Sequence, residues 1–389
     1  MINTIIQGDV LERLKQLPND YVQTVITSPP YFGLRDYGVT GQIGLEETPQ
    51  AYIDKLVAVF REGRRVLRPD GTLWLNIGDS YAGSGKGGQS EEKRSENWQP
   101  TYMNKGLTPR GYKPKDLMMI PARLAIALQS DGWYLRSQII WHKPNCMPES
   151  VEDRPTTSHE YVFLLAKSEK YYYDADAIRE PVSLAHIEKW GTATPERKPP
   201  KTHIGLEITR IQGEATTYGA HPLGRNKRSV WSVSTHNYEG AHFATFPPKL
   251  IEPMILAGTA PRACEHCGAP WERVTERIQF GKAPSATKFD KTMQGGPLSG
   301  SRQAYRAMGL EGPPAPITTG WQPTCTCTNE GTGRCIVLDP FMGSGTVALV
   351  AIQHARHWLG IELSPDYVAL AQKRIACVQV NMWESEVAV

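Results

Sequence analysis

Long apolar runs are absent from this sequence of 389 residues. No stretch approaches the roughly 18 consecutive apolar residues needed to cross a bilayer, so we expect no membrane association. The N-terminal stretch MINTIIQGDV has neither the basic start nor the long apolar segment of a signal peptide, which predicts a cytoplasmic protein. A content of 40% hydrophobic and 21% charged residues is that of a soluble globular protein.

The sequence also lacks a large net charge, since the formal value is only +3 at pH 7. Basic residues are concentrated in two stretches rich in glycine, proline and aromatic residues. Residues 81–118 carry seven Lys/Arg against four acids, and residues 183–245 carry eight against five. Neither stretch shows helical or strand periodicity. They fit either solvated surface loops or a surface that follows nucleic-acid phosphates.

Outside these stretches, short apolar strands alternate with amphipathic helices. This alternation indicates a doubly wound α/β fold around a largely parallel sheet. Residues 160–168 and 170–174 are predicted to form an antiparallel hairpin. The other predicted strands are 3–9, 22–27, 72–79, 133–144, 335–339 and 357–363, and the predicted helices are 10–18, 49–67, 116–132, 246–258 and those that start near 346 and 365.

A glycine-rich turn joins a strand to a helix in VLDPFMGSGTVALVA, where the strand ends at Asp339 and the helix starts near Thr346. Gly343 and Gly345 let the backbone approach a ligand, although a plain tight turn has the same pattern. The next strand ends at Glu362, about where nucleotide-binding folds place an acid that holds ribose hydroxyls. Neither GxGxxG nor GxxxxGK[ST] is present, so a pyrophosphate site is not implied. The expected ligand carries ribose and a cationic or zwitterionic group near Asp339.

A rigid corner, TSPPYFGLRDYG, follows the predicted strand VQTVIT. Two consecutive prolines remove two backbone donors and fix two φ angles, which excludes a helix interior or a central strand. The segment fits a proline-rich turn over a buried tyrosine, or a corner built to hold a ligand.

DPFMGSGT and TSPPY together resemble the paired signature of DNA amino-methyltransferases, which transfer a methyl group from S-adenosylmethionine to cytosine N4 or adenine N6. GDVLERLKQLP, GTLWLNIGDSYAG, IIWHKPN and FPPKLIEPMI resemble further blocks of that family, and the likeness covers roughly 2–180 and 243–380. The catalytic block precedes the cofactor block, as in the circularly permuted β class, which implies a DNA substrate. The resemblance implies a Rossmann-like methyltransferase sheet with irregular DNA-recognition insertions.

The resemblance assigns the corner to the target base, which leaves the double helix and stacks on an aromatic ring. An exocyclic amine is a poor nucleophile because its lone pair is delocalised into the ring. Acceptors must therefore hold its two hydrogens, and the resemblance implies that these would be the Ser28 hydroxyl and the Pro29 carbonyl. Pro30 would stiffen the corner and Tyr31 would stack on the base.

The resemblance also implies a cofactor site and a division of the chain. Asp9 would face the adenine of the cofactor, although capping of the following helix explains it equally well. Phe246 and its helix would close over the methionine end, and Phe341 would pack beside the cofactor. The implied cofactor-binding residues are Asp9, Phe246, Asp339, Pro340, Phe341, Gly343, Gly345, Thr346, Glu362, Leu363 and Ser364. The implied segments are a catalytic half (1–182), a recognition region (183–245), a closing helix (246–260), a zinc-knuckle insertion (261–334) and a cofactor half (335–389).

The target base is expected to be cytosine, because serine before Pro-Pro-Tyr is the form more often associated with N4 methylation in that family. Adenine N6 is the alternative, and a nucleic-acid-binding protein that has lost turnover is a more remote one. Methylation at cytosine C5 is excluded because none of the seven cysteines follows a proline. A zinc deaminase is excluded because HIE at 186–188 has no PCxxC partner.

Four cysteines are spaced as a metal site. They form CEHC and CTC, and cytosolic cysteines close in sequence indicate structural zinc rather than disulfides. The gap of 57 residues and the C-x-C spacing leave Cys335 or His266 as substitute ligands, and free thiols are the alternative. The predicted ligands are Cys264, Cys267, Cys325 and Cys327.

Recognition of double-stranded DNA is expected from 183–245, with help from 81–118 and the loop 278–320. Basic residues beside Trp231 suit contacts to phosphates and base edges, although a solvated charge run beside a core tryptophan is as good an interpretation. The basic residues are Arg225, Lys227 and Arg228, and Arg35 and Asp36 follow the corner. A homodimer and a restriction endonuclease partner are left open.

Overall fold

The computed structural model describes residues 1–34, 38–83, 108–109, 111–181, 225–235, 247–276 and 317–386. These residues belong to two compact units. The first is drawn from Met1–Asp174, Arg228–Glu272 and Pro323–Val389, and the second from Ala175–Lys227 and Arg273–Gln322. No helix among the described residues is long and apolar enough to pass through a membrane.

Among the described residues, ten strands form a large sheet and a small one. They are β1 (Thr4–Gln7), β2 (Val22–Thr27), β3 (Leu67–Ile77), β4 (Tyr134–His142), β5 (His159–Ala166), β6 (Val230–Ser232), β7 (Glu272–Glu276), β8 (Ile317–Gln322), β9 (Ile336–Asp339) and β10 (His357–Glu362). The large sheet has the order β1-β10-β9-β2-β3-β5-β4-β6, and β7 pairs with β8. Neighbours from β1 to β3 are parallel, which confirms the predicted mostly parallel α/β sheet.

β5 is the exception, because it runs antiparallel to both β3 and β4. The predicted hairpin of 160–168 with 170–174 is therefore wrong. Both edges of β5 are occupied by β3 and β4, so no edge is free for a further strand. Residues 171–174 are instead irregular, and Tyr173 stacks on Trp74 with ring centroids 6.4 Å apart.

The described segments contain six α-helices, which flank the strands. They are α1 (Val10–Lys15), α2 (Pro49–Val66), α3 (Ile120–Ser130), α4 (Pro248–Gly258), α5 (Thr346–Gln353) and α6 (Pro365–Glu386). Sequence signals explain where several of them start. The Thr48 hydroxyl accepts from the Ala51 amide at 3.2 Å at the start of α2, where Pro49 takes the first turn. The apolar face of α2 buries Tyr52, Ile53 and Phe60 in the core against the sheet.

The sheet brings distant parts of the chain to one edge. β2 is buried along its whole length at the centre, and the carboxyl ends of the parallel strands β1, β2, β3, β9 and β10 lie at the same edge. Because β5 is antiparallel, its first residues reach that edge, as does the end of β4. The Pro-Pro corner after β2 and the glycine-rich turn after β9 therefore meet there.

Candidate active site

The Pro-Pro corner begins directly after β2. The Pro30 carbonyl accepts a hydrogen bond from the Tyr52 hydroxyl at 2.8 Å, which ties the corner to α2. The Pro29 carbonyl, rather than that of Pro30, is therefore the candidate acceptor for an incoming amine. The Ser28 hydroxyl lies 3.4 Å from the Tyr31 hydroxyl, so the two side chains expected to handle the base are neighbours.

Tyr31 is held by groups from the ends of β3, β4 and β5. Its hydroxyl donates to Glu160 Oε2 at 2.6 Å and lies 3.3 Å from Asn76 Oδ1. The other Glu160 oxygen forms an ion pair with Lys143. Burial, reinforced by the Glu160 charge, raises the pKa of Tyr31 well above its usual value, so this hydroxyl stays protonated and donates.

The glycine-rich turn uses left-handed backbone at two positions. Gly343 has φ +50° and Gly345, which caps α5, has φ +79°. The Gly343 amide donates to Glu362 Oε2 at 2.8 Å, and the Ser364 amide donates to Oε1 at 2.8 Å. Glu362 thus fixes the turns after β9 and β10, and burial raises the pKa of its carboxyl.

Asp339 connects the two halves of the site. Its Oδ1 accepts from the Thr27 hydroxyl at 2.6 Å and from the Phe341 amide at 3.1 Å, and Thr27 directly precedes Ser28. Its Oδ2 is buried without a hydrogen-bond partner among the described residues. Burial raises the pKa of this carboxyl to about 7. A buried carboxylate oxygen of this kind suits a cationic ligand, which would supply the missing partner.

Asp9 does cap a helix, as the alternative interpretation of the sequence had it. Its Oδ1 accepts from the amides of Leu11 and Glu12 at 3.0 and 3.1 Å at the start of α1. Asp9 also lies at the cavity wall, so capping and a ligand contact are compatible.

A cavity of about 410 Å³ opens at this edge of the sheet. Asp339 and Gly345 are not among the residues that line it, and Phe246, Arg35 and Asp36 fall outside the described residues. The predicted site residues that line it are Asp9, Ser28, Pro29, Pro30, Tyr31, Pro340, Phe341, Gly343, Thr346, Glu362, Leu363 and Ser364. The corner and the glycine-rich turn, over 300 positions apart in sequence, thus share one cavity.

The sequence did not point to four further side chains of the cavity wall. They are Asn76, Trp141, Lys143 and Glu160. Three of them belong to the blocks GTLWLNIGDSYAG and IIWHKPN, and Glu160 opens a predicted strand. Their positions at the ends of predicted strands could have indicated a site. The sequence does not give the direction of each strand, however, so it does not tell which edge of the sheet each strand end reaches.

The four predicted metal ligands come together. The sulfur atoms of Cys264, Cys267, Cys325 and Cys327 all lie within 4.8 Å of one another. The Cys267 amide points at Cys264 Sγ at 3.5 Å, and the Asn329 amide group at Cys325 Sγ at 3.7 Å. The alternative ligands Cys335 and His266 are not in this cluster.

The predicted recognition residues are described only in part. Trp231 is buried in β6, with its ring centroid 6.3 Å from that of Trp74, which supports the core interpretation of this residue. Arg225 pairs with Glu180 at 3.1 Å within the second unit. Residues 182–224 and 236–246 lie outside the described residues, as does most of 278–320.

A mostly parallel sheet that joins a glycine-rich turn and a Pro-Pro-Tyr corner in one cavity defines a Rossmann-like methyltransferase. The sequence matches the family model described as DNA methylase at residues 22–264 and 326–373. The chain therefore belongs to this family of N6/N4 DNA methyltransferases.

Related proteins extend over nearly the whole chain. It is 38% identical to the Type II methyltransferase M.Cfr9I of Citrobacter freundii, over 97% of this chain and 89% of that protein. It is 37% identical to M.SmaI of Serratia marcescens, over 95% and 90%. The PvuII DNA methyltransferase, described as cytosine-N4-specific, has a similar fold, with a TM-score of 0.51, 16% identity and coverage of 96% and 90%.

Proposed function

We propose that this DNA methyltransferase transfers a methyl group from S-adenosylmethionine to N4 of a cytosine flipped out of double-stranded DNA. The observation that carries the proposal is the shared cavity. Its base side is the corner from Ser28 to Tyr31, and its cofactor side is the glycine-rich turn. The hydrogen bond from Thr27 to Asp339 joins the two sides within 2.6 Å.

The residues of the cofactor side fit S-adenosylmethionine. The buried Asp339 Oδ2 without a partner suits its cationic groups, Gly343 allows close approach of the backbone, and Glu362 lies where ribose hydroxyls would be held. Phe341, Leu363 and Ser364 complete that wall. When bound, the cofactor supplies a methyl group on a positively charged sulfur.

The residues of the base side would handle the amine. The Ser28 hydroxyl and the Pro29 carbonyl would accept its two hydrogens, which turns the nitrogen lone pair toward the methyl group. Tyr31 would stack on the base and keep it out of the helix. The amine nitrogen would gain the methyl group as the bond between that carbon and the cofactor sulfur breaks, which leaves S-adenosylhomocysteine. The methylated amine would then release one proton to water, so no strong base is needed at the outset.

Two observations favour cytosine over adenine. The residue before Pro-Pro-Tyr is serine, and the similar PvuII enzyme is described as cytosine-N4-specific. Since the latter likeness concerns the fold alone, the serine carries more weight. The homodimer and the endonuclease partner stay predictions.

The test is incubation of the full chain with plasmid DNA and S-adenosylmethionine labelled in its methyl group, followed by digestion to nucleosides. Label in N4-methylcytosine is the expected result. Label in N6-methyladenine would replace cytosine by adenine as the target. Cofactor binding with no label in any DNA would overturn the proposal in favour of a binding protein.

For the cysteine cluster we propose a structural zinc ion. Four thiolates satisfy a tetrahedral ion and leave no open position for catalysis. The amide hydrogens that point at the sulfurs of Cys264 and Cys325 would stabilise thiolate charge.

Metal analysis of the purified chain tests this second proposal. We expect about one zinc per chain and its loss in Cys267→Ser, because three thiolates no longer complete the site. The matched controls are Cys146→Ser and Cys377→Ser, whose sulfurs lie outside the cluster and whose zinc content should be unchanged. Metal-free protein in which all four thiols of the cluster titrate would contradict the zinc site.

A further inference from the structure

The polar wall beside Tyr31 has no role in the methyl transfer described so far. It consists of Glu160, Lys143 and Asn76 at the ends of β5, β4 and β3, and all three line the cavity. The Tyr31 hydroxyl donates to Glu160 at 2.6 Å. The Asn76 amide group donates to the same carboxylate at 3.2 Å and to the Tyr161 carbonyl at 3.1 Å.

Lys143 compensates the charge of this carboxylate. The two side chains form an ion pair with only 19% and 16% of their surfaces exposed, and the Lys143 ammonium lies 4.5 Å from the centre of the Trp141 ring. A carboxylate in so shielded a place needs a compensating charge. The ion pair with Lys143 also holds Glu160 in place beside the Tyr31 hydroxyl, which donates to it at 2.6 Å.

The Tyr31 ring is also confined along its edge. A side chain at Gly78 would place its first carbon 2.8 Å from Tyr31 Cε2 and 3.4 Å from Glu160 Cγ. The backbone after β3 therefore touches the ring edge, while Glu160 holds the hydroxyl. With both ends fixed, the ring has one orientation in the cavity wall.

We propose that Glu160, held by Lys143, is the positioning residue that fixes the Tyr31 ring for stacking on the flipped base. The inference rests on the proposed stacking role of Tyr31 but not on which base is methylated. Glu160 acts through one hydrogen bond to the tyrosine and has no contact with the reacting amine.

The test compares two double substitutions, each of which removes both charges of the ion pair, so that no unpaired charge is left in the wall. E160Q/K143M keeps an acceptor for the Tyr31 hydroxyl, whereas E160L/K143M removes it at similar volume. Each double variant is made in the wild-type background, which keeps Tyr31, and in the Tyr31→Phe background, which gives four proteins. Single-turnover methyl transfer to plasmid DNA is measured for each at saturating cofactor. Melting temperature and cofactor affinity are recorded for every variant.

With Tyr31 present, we expect transfer to be about tenfold slower in E160L/K143M than in E160Q/K143M, since a buried hydrogen bond is lost. With Tyr31→Phe, the two should be equally slow. Cofactor affinity should be the same in all four, because the wall lies on the base side. Lys15→Met, which breaks an exposed ion pair on α1, controls for loss of a surface charge.

Two results would overturn the inference. One is an equal tenfold difference in the Tyr31→Phe background, which would show that Glu160 acts independently of the tyrosine. The other is equal rates for the two Tyr31 variants, with both far below wild type, which would show that the carboxylate acts by its charge or as a base. Failure of the proposed function is distinguishable, because the wild-type chain would then transfer no methyl group to any base.

Discussion

At the scale of single residues, the two halves of the site depend on a few buried polar contacts. Thr27 is the last residue of β2 and Asp339 the last of β9, and their hydrogen bond fixes the corner relative to the glycine-rich turn. The proposed roles of Ser28 and Asp339 come from motifs in the sequence. Their connection does not, because it depends on the pairing of β2 with β9 across more than 300 residues.

Ser28→Ala tests the corner directly. We expect methyl transfer to fall at least about 100-fold, since an acceptor for an amine hydrogen is removed. Affinity for S-adenosylmethionine should be nearly unchanged, because Ser28 lies on the base side. Single-turnover rates and calorimetric cofactor binding measure the two effects, and Ser168→Ala, in the turn after β5, is the matched control. Retention of full activity in Ser28→Ala would remove this residue from the mechanism.

The raised pKa of the Asp339 carboxyl predicts that the stability of the ligand-free protein depends on pH. Its folded pKa of about 7 lies above the usual aspartate value of 3.8 because the carboxyl is buried. The folded state thus holds a proton that the unfolded state has released. The contribution of Asp339 is fully present below pH 3.8 and is lost as the pH rises to about 7.

Asp339→Asn should abolish this part of the pH dependence. In thermal melts between pH 5 and 8 we expect the variant to gain stability relative to wild type as the pH rises. Wild type should bind the cofactor more tightly than Asp339→Asn, because a charged Asp339 attracts the cationic ligand and asparagine does not. The same pH profile in both proteins would show that Asp339 is not the titrating group.

At the scale of elements, the sequence predicted most helices and parallel strands because their apolar periodicity is local. The hairpin of 160–168 with 170–174 failed because pairing is not local. Residues 160–166 form a short apolar run that is typical of a buried strand, but nothing in this pattern says that β3 and β4 already occupy both edges. The polar wall was missed for the same reason, since Glu160 reaches the active edge only because β5 is antiparallel.

Gly360, inside β10, allows the turn after β9 to pack closely. A side chain there would overlap Met342 Sδ, in the turn that carries Phe341 and Gly343. Gly360→Ala should therefore displace this turn, weaken cofactor binding about tenfold and destabilise the fold by roughly 1–3 kcal/mol. Calorimetry and thermal melts measure both effects.

A second substitution should restore the packing. Met342→Ala in the Gly360→Ala chain removes the overlapping side chain, so part of the cofactor affinity should return. Gly63→Ala is the matched control, because an added carbon there meets no atom within 4 Å and the helix α2 should be unharmed. If Gly360→Ala binds the cofactor as tightly as wild type, this packing does not shape the site.

At the scale of the whole molecule, the cysteine cluster and the active site are attached to opposite ends of the same strands. Gln23, near the start of β2, donates to the Gly268 carbonyl of the CEHC turn at 2.7 Å and accepts from the Ile336 amide at the start of β9. The ends of these two strands carry Ser28 and Asp339. The spacing of the cysteines predicted the cluster, but not this attachment to the central strands.

Removal of the proposed zinc ion should therefore destabilise the starts of β2 and β9 without a direct effect on methyl transfer. We expect chelation to lower the melting temperature and to reduce cofactor affinity, while zinc added back restores both. Gln23→Met should lower the melting temperature by roughly 2–4 °C with full zinc content, because two backbone groups lose their partner. Thermal melts and metal analysis on the same samples make the comparison. An unchanged melting temperature after complete removal of the metal would show that the cluster does not stabilise the sheet.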